Sequence, residues 1–219
     1  MPNCIQCEWL DKTKPECTVP VLKARASPCR RCDTAIVIKT GKIAKGMVLE
    51  IGPGVNQTFR RKIWKRMDGS VWVGIDPHFG DRPHEKRYNG TATKIPFGND
   101  SFDVVGTFNS MEHWVEFGDS VEAGLKEIIR VLKPGGLLVA TIPIQSHGHK
   151  MFVLADYEAI RKCFGDEWGN VEFEDWRKDP NPLPPSLPKE TEIRALRRVT
   201  PLPTVVNDWL LEIRAWKKV

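Results

Sequence analysis

The chain has 219 residues, of which 41% are hydrophobic and 28% charged, with a net charge of +5 at neutral pH. This length and apolar content predict one main domain with a good core and a small appendage. No apolar run approaches the length of a membrane span, and the first residues lack the apolar core of a signal peptide, so we expect a cytoplasmic protein without a membrane partner.

The amino-terminal segment, residues 1–45, carries the excess positive charge and most of the cysteines. It holds nine Lys and Arg against four Asp and Glu, whereas the remainder of the chain is balanced. Two C-x-x-C pairs have the spacing of a tetrahedral zinc site, and the segment is too poor in apolar residues to form its own core. We therefore predict a structural zinc ion (Zn2+) on Cys4, Cys7, Cys29 and Cys32. Cys17 is a spare or alternative ligand, and the alternative to a zinc site is a set of reduced cysteines on a flexible arm.

The next feature is a short apolar run that ends in an acid and a glycine turn. Met47–Ile51 has strand character and contains Glu50, and Gly52, Pro53 and Gly54 follow it. The positions after the turn, 55–67, carry a helix-compatible pattern. Strand, glycine turn and helix open the nucleotide-binding half of a doubly wound α/β sheet, but Gln57 replaces the third glycine of a dinucleotide fingerprint.

Further strands follow this opening. Residues 70–76 form a predicted strand that ends in Asp76, placed where an acid would hold a ribose diol. The loop through Tyr88 lacks periodicity and is predicted to be irregular. Strands are predicted at 104–108 and 137–142, on either side of a helix over residues 120–132 that Lys133-Pro134-Gly135-Gly136 stops.

Three segments together resemble the class I S-adenosylmethionine (SAM) methyltransferases with a type 11-like core. They are Leu49–Gly54, then Ile95-Pro96-Phe97 with Ser101-Phe102-Asp103, and finally Arg130–Gly136. The resemblance implies a Rossmann-like doubly wound sheet over 46–219, mostly parallel with a C-terminal antiparallel hairpin, beside the small cysteine-rich module 1–45. It also implies S-adenosyl-L-methionine as cofactor, held by Glu50, Gly52, Pro53, Gly54, Asp76, Pro77, Thr91, Ala92, Asn109 and Ser110.

One position departs from the family pattern. The acid that commonly accepts from the adenine amino group is replaced by Thr91, whose hydroxyl or backbone carbonyl could take that bond, and Ala92 lies where a backbone N–H would meet the ring.

The carboxyl-terminal part matches the family by architecture alone. A helix is predicted at 155–164 and strands at 171–176 and 209–216. The Pro-rich insertion 179–200 between those strands starts with an exposed linker that holds five prolines and ends in a short basic helix. Such an insertion is usually a lid, a substrate wall or an oligomer contact. A homo-oligomer is therefore one of the alternatives for this chain.

These motifs do not identify the methyl acceptor. His113 follows the strand at 104–108, and His147 and His149 follow the strand at 137–142, where open α/β sheets bind ligands. A histidine base suits O-methylation of a sugar, glycan or other small hydroxylated acceptor, although solvated or backbone-bonded histidines would read the same way. The alternatives are an RNA methyltransferase that holds RNA with the basic module, and a partner subunit with the same fold and no activity.

Overall fold

The structure is a computed structural model that describes residues 46–54, 69–80, 85–144, 148–177 and 209–219. The cysteine-rich module, the predicted helix at 55–67, His147 and the insertion 179–200 lie outside the described residues.

The described residues form a seven-stranded sheet with strand order β3-β2-β1-β4-β5-β7-β6. Strands β1 to β5 run parallel, and β7 is antiparallel to both of its neighbours. This architecture confirms the predicted mostly parallel Rossmann-like sheet with an antiparallel carboxyl-terminal pair. The strands are β1 (Met47–Ile51), β2 (Val71–Ile75), β3 (Arg87–Tyr88), β4 (Phe102–Phe108), β5 (Leu132–Pro143), β6 (Trp168–Arg177) and β7 (Trp209–Lys217).

Strand β1 lies at the point where the strand order reverses. The chain leaves β1 towards β2 on one side, and β4 pairs with the other side of β1. Residues in these central strands, among them Leu49, Val104 and Val105, are fully buried. A strand covered on both faces reads as a continuous apolar run, which explains why these segments were recognisable. In such sheets ligands bind at the carboxyl ends of the strands beside this reversal.

The helices of the described residues are short apart from one. The longest, α1 (Val121–Val131), begins where the Ser120 hydroxyl accepts a hydrogen bond from the Ala123 N–H, and it buries Val121, Leu125, Ile128 and Val131. A 3₁₀ helix spans Met111–Phe117, and α2 (Lys150–Val153) and α3 (Tyr157–Lys162) precede β6. Not one of the described helices has the length and apolar content needed to cross a bilayer.

Local boundaries differ from the sequence predictions in three places. The segment predicted to be irregular contains β3, which has two residues and pairs only with Gly74 and Ile75, too short for a periodic pattern. Strand β5 starts at Leu132, because Leu132 pairs with Phe102 across a register shift. The residues 133–136, predicted only to stop the helix, are therefore part of the strand. The helix predicted at 155–164 is shorter, Tyr157–Lys162, and Ala155 has a positive φ before it; the additional short helix Lys150–Val153 lies outside the predicted range.

Candidate functional site

The glycine turn joins the carboxyl ends of three strands. Gly52 and Gly54 have φ values of +66° and +68°, a conformation that L side chains rarely adopt. The Gly52 N–H donates to the Ile75 carbonyl of β2 at 2.9 Å. A Cβ on Gly52 would lie 2.5 Å from the Ser110 Oγ after β4, so only glycine fits between these chain segments.

Asp76 lies beside this turn and is 3% exposed. Its Oδ2 accepts from the Gly54 N–H at 2.8 Å, and its Oδ1 accepts from the His78 N–H at 2.9 Å. A carboxylate has about four lone-pair positions, so both oxygens keep capacity for one more donor each. That arrangement suits two neighbouring hydroxyls of one ligand. Pro77, the next residue, is partly exposed.

Ser110 and Asn109 close the site from the β4 side. The Ser110 hydroxyl is 3.0 Å from the Ile51 carbonyl, which can only accept, and 2.8 Å from the Thr107 Oγ1. Ser110 thus holds the end of β1 in place from within the core. Asn109 has a φ of +51°, and its N–H donates to the Thr141 carbonyl of β5 at 2.8 Å.

Glu50 occupies a different environment from the other predicted cofactor residues. It is fully buried within β1, and its Oε2 accepts from the Trp72 Nε1–H of β2 at 2.7 Å. Pro53 is also buried, close to Gly74. Trp72 had no signal in the sequence as a partner of Glu50, because the pairing depends on the β1–β2 register.

The loop that carries Thr91 and Ala92 lies just beyond β3 and packs onto α1. Ala92 is 1% exposed, and its Cβ is 3.1 Å from where a Cβ on Gly124 would be. The Thr93 hydroxyl donates to Asp119 Oδ1, and the Thr93 N–H donates to Asp119 Oδ2 at 3.4 Å. Asp119 was missed by sequence reasoning, since it precedes α1 and reads as an ordinary helix-start acid.

The described candidate base residues lie in segments after β4 and β5 that touch each other. His113, in the 3₁₀ helix, is 4% exposed, and its Nδ1 is 2.5 Å from Glu116 Oε1. Because a carboxylate only accepts, Nδ1 is the donor in this contact, and Nε2 lies 3.8 Å from Glu112 Oε1.

His149 connects the β5 loop to this 3₁₀ helix. Its N–H donates to the Glu112 carbonyl at 2.9 Å, and its Nδ1 accepts from the Met151 N–H at the start of α2. The carboxyl ends of β4 and β5 are therefore joined, as expected for one ligand-binding edge. His149 caps α2, which is a structural role.

Among the described residues, no group of three or more His, Cys, Asp or Glu side chains could hold a metal ion. Burial raises the pKa of the Cys163 thiol to about 12, with the Glu122 carboxylate adding to the effect, so this thiol stays protonated at neutral pH. The four predicted zinc ligands lie outside the described residues.

Comparison with known proteins gives matches to part of the chain. The family model described as "Methyltransferase domain" matches residues 49–140. Over 87 residues the chain is 33% identical to the uncharacterized protein YafE of Escherichia coli K12, covering 36% of this chain and 40% of that protein. Over 88 residues it is 31% identical to a demethylmenaquinone methyltransferase of Clavibacter sepedonicus, covering 37% of this chain and 34% of that enzyme. The chain thus spans less than half the length of these curated relatives.

Solved structures share the fold over most of the chain. The N-methyltransferase NodS from Bradyrhizobium japonicum, in complex with S-adenosylhomocysteine, superposes with a TM-score of 0.58 at 12% identity, covering 87% of this chain and 88% of that one. A Burkholderia thailandensis N1-methyltransferase that acts on 1,6-didemethyltoxoflavin, also with bound S-adenosylhomocysteine, gives a TM-score of 0.54 at 11% identity over 86% and 78% of the two chains. Strand order, the glycine turn and the family match agree, and residues 49–140 are similar to the methyltransferase domain family.

Proposed function

We propose that this protein binds SAM and transfers its methyl group to a small hydroxylated acceptor such as a sugar or glycan. The observation that carries the cofactor assignment is the Asp76 carboxylate, buried beside the glycine turn with both oxygens hydrogen-bonded to the loops around them. The loops are thereby organised around an acid that still has acceptor positions for a ribose diol.

The residues at this edge fit the cofactor. Gly52 and Gly54 remove the side chains that would fill the turn, and Asp76 supplies acceptors for two hydroxyls. Two structural relatives contain bound S-adenosylhomocysteine, which supports SAM as the cofactor. When bound, SAM supplies an electrophilic methyl group, so the protein mainly has to position the two partners.

The acceptor proposal depends on His113. A sugar hydroxyl keeps its proton at neutral pH, so its methylation benefits from a base that removes the proton as the bond forms. Glu116 orients the His113 ring through Nδ1, which leaves Nε2 as the basic nitrogen, and it would hold the imidazolium that results. His147 and His149 remain candidates from sequence, His149 weakened by its capping bond to Met151.

A zinc ion on Cys4, Cys7, Cys29 and Cys32 is part of the proposal, because two C-x-x-C pairs in a basic segment with little apolar content need a metal for stability. Elemental analysis of the full chain should give about one zinc per chain. Cys4→Ser should lose that zinc, and the matched Cys163→Ser should keep it. Equal zinc content in the two variants would contradict the assignment.

Asp76→Ala tests the cofactor assignment. Loss of a carboxylate that accepts two ligand hydroxyls should weaken S-adenosylhomocysteine binding at least about thirtyfold, since each hydrogen bond to a charged group contributes about 1.5–3 kcal/mol. Isothermal titration calorimetry measures the affinity, with Asp166→Ala, an exposed acid in the turn before β6, as the matched control. Unchanged affinity in a folded Asp76→Ala protein would show that the diol is held elsewhere.

A further inference from the structure

Three side chains form a hydrogen-bonded row from the start of α1 to the loop beyond β3. Asp119 is 7% exposed, and its Oδ1 accepts from the Thr93 hydroxyl. The Thr93 Oγ1 in turn lies 3.4 Å from the Thr91 Oγ1. The row therefore ends at Thr91, the residue that stands where the family commonly has an acid.

The carboxylate gives this row a direction. Asp119 can only accept, so the single proton of the Thr93 hydroxyl is used towards it. In the contact between the two threonines, Thr93 can then only accept, and the proton of Thr91 is used towards Thr93. The Thr91 Oγ1 is left with lone pairs alone to offer a ligand.

We propose that Asp119 and Thr93 convert the Thr91 hydroxyl into an obligate acceptor that selects a 6-aminopurine over a 6-oxopurine. The proposal rests on the proposed cofactor function. An exocyclic amino group can donate to such an oxygen, whereas an oxo group would place two acceptors against each other.

The position of the loop supports this assignment. Strand β3 pairs with β2 on the side away from β1, and the Asp76 N–H donates to the Tyr88 carbonyl at 3.2 Å. Thr91 thus follows β3 on one flank of Asp76, while the glycine turn and Ser110 occupy the other flank. Suppose that Asp76 holds the ribose of a nucleoside and that the ribose substituent opposite the base lies on the glycine turn. The base then lies on the Thr91 flank.

The loop is also held firmly enough to keep this direction. The Thr93 N–H donates to Asp119 Oδ2, and the Ile95 N–H donates to Glu127 Oε1 at 3.2 Å. Buried Ala92 packs near Gly124 of α1. The two threonine hydroxyls therefore cannot exchange roles without breaking the hydrogen bond from the Thr93 hydroxyl to Asp119.

Binding of two probes to the full chain tests the proposal. S-adenosylhomocysteine carries the amino group, and S-inosylhomocysteine carries an oxo group in its place. Wild-type protein should prefer the first at least about thirtyfold, since a site built for a donor rejects its absence strongly. In Asp119→Asn, the amide oxygen must accept from the Thr93 N–H. The amide N–H₂ then donates to the Thr93 hydroxyl, which donates to the Thr91 hydroxyl, so Thr91 can donate its own proton to a ligand. That preference should fall about tenfold, chiefly through tighter S-inosylhomocysteine binding.

Two further variants keep the test decisive if Asp119→Asn fails to fold. Thr93→Val breaks the row and should lose the preference, and Thr93→Ser restores the hydroxyl and should keep it. Asp166→Asn is the control for a charge change elsewhere. Equal affinity of wild-type protein for both probes would contradict the proposed role of Thr91. So would an unchanged preference in Asp119→Asn and Thr93→Val. In either case the cofactor assignment would stand. Failure of wild-type protein to bind S-adenosylhomocysteine overturns both.

Discussion

Gly52 shows how one residue couples two strands at the site. Its positive φ bends the chain out of β1, and the space where its side chain would lie is filled by Ser110. The Ser110 hydroxyl in turn donates to the Ile51 carbonyl. The same hydroxyl therefore holds the turn in place and excludes a side chain at position 52.

Gly52→Ala should therefore cost more than the strain of a left-handed residue. We expect a loss of about 3 kcal/mol or more in the free energy of unfolding, about 1 kcal/mol from φ and the rest from displacing Ser110. Gly69→Ala is the matched control, because Gly69 has a φ of +78° and nothing within 4 Å of its added Cβ. Urea unfolding measures both. Equal losses would mean that Ser110 moves aside freely and that packing does not decide the turn.

At the scale of elements, α1 holds the segment between β3 and β4. Arg130 donates to the Ile95 and Phe97 carbonyls at 3.1 and 2.8 Å, and its guanidinium also bonds Glu127. Together with Asp119, these two side chains attach the whole loop from Thr93 to Phe97 to one helix. The position of Thr91 beside the site therefore depends on α1.

The Glu127–Arg130 pair should make this attachment acid-sensitive. The hydrogen bond from Arg130 lowers the pKa of Glu127 below the usual carboxyl value of 4.5. A lowered pKa in the folded state contributes stability above pH 4.5 that is lost as pH falls through the folded pKa. Glu127→Gln should lower the free energy of unfolding by about 1 kcal/mol at neutral pH, and the difference from wild type should shrink at about pH 3.

Urea unfolding at both pH values checks this expectation. Glu158→Gln, an exposed acid in the first turn of α3, is the control and should change little at either pH. A Glu127→Gln deficit that persists undiminished in acid would show that the carboxylate charge is not what holds the loop.

At the scale of the whole molecule, the question is which part recognises the acceptor. The candidate base lies at the carboxyl edge of the sheet, whereas the excess positive charge lies in residues 1–45. Methylation of a small hydroxylated molecule depends on the candidate base. Recognition of an RNA depends on the positive charge, which contacts phosphates.

His113→Ala should reduce turnover on a hydroxyl acceptor about a hundredfold or more while S-adenosylhomocysteine affinity barely changes. Glu116→Gln should reduce turnover less, because it removes only the group that orients the ring. His149→Ala tests the other described histidine; it removes the acceptor of the Met151 N–H and the ring contact with Phe152, and we expect a smaller loss of turnover than in His113→Ala. Steady-state kinetics and calorimetry separate the two effects.

RNA recognition predicts a different pattern. Replacing Lys23, Arg25, Arg30 and Arg31 with glutamine should then weaken substrate binding and make its salt dependence shallower. Full activity of His113→Ala together with failure of this basic-arm variant would replace the hydroxyl proposal with the RNA alternative.

The sequence by itself determined the class of fold and the position of the proposed cofactor edge. The apolar runs of β1, β4 and β5, the glycine turn and the run Arg130–Gly136 are local signals, because each depends on residues close together in the chain. Asp76 was identified for the same reason, as an acid at the end of a predicted strand.

The tertiary structure decided which residues support those groups. Trp72 meets Glu50 through strand register, Ser110 meets Gly52 across two strand ends, and Asp119 meets Thr93 across 26 positions of chain. Strand β3 is too short to show a period, and its place is set by hydrogen bonds to β2. Such contacts join segments that lie far apart in sequence, so their partners are chosen by how the sheet and α1 pack and leave no local pattern in the chain.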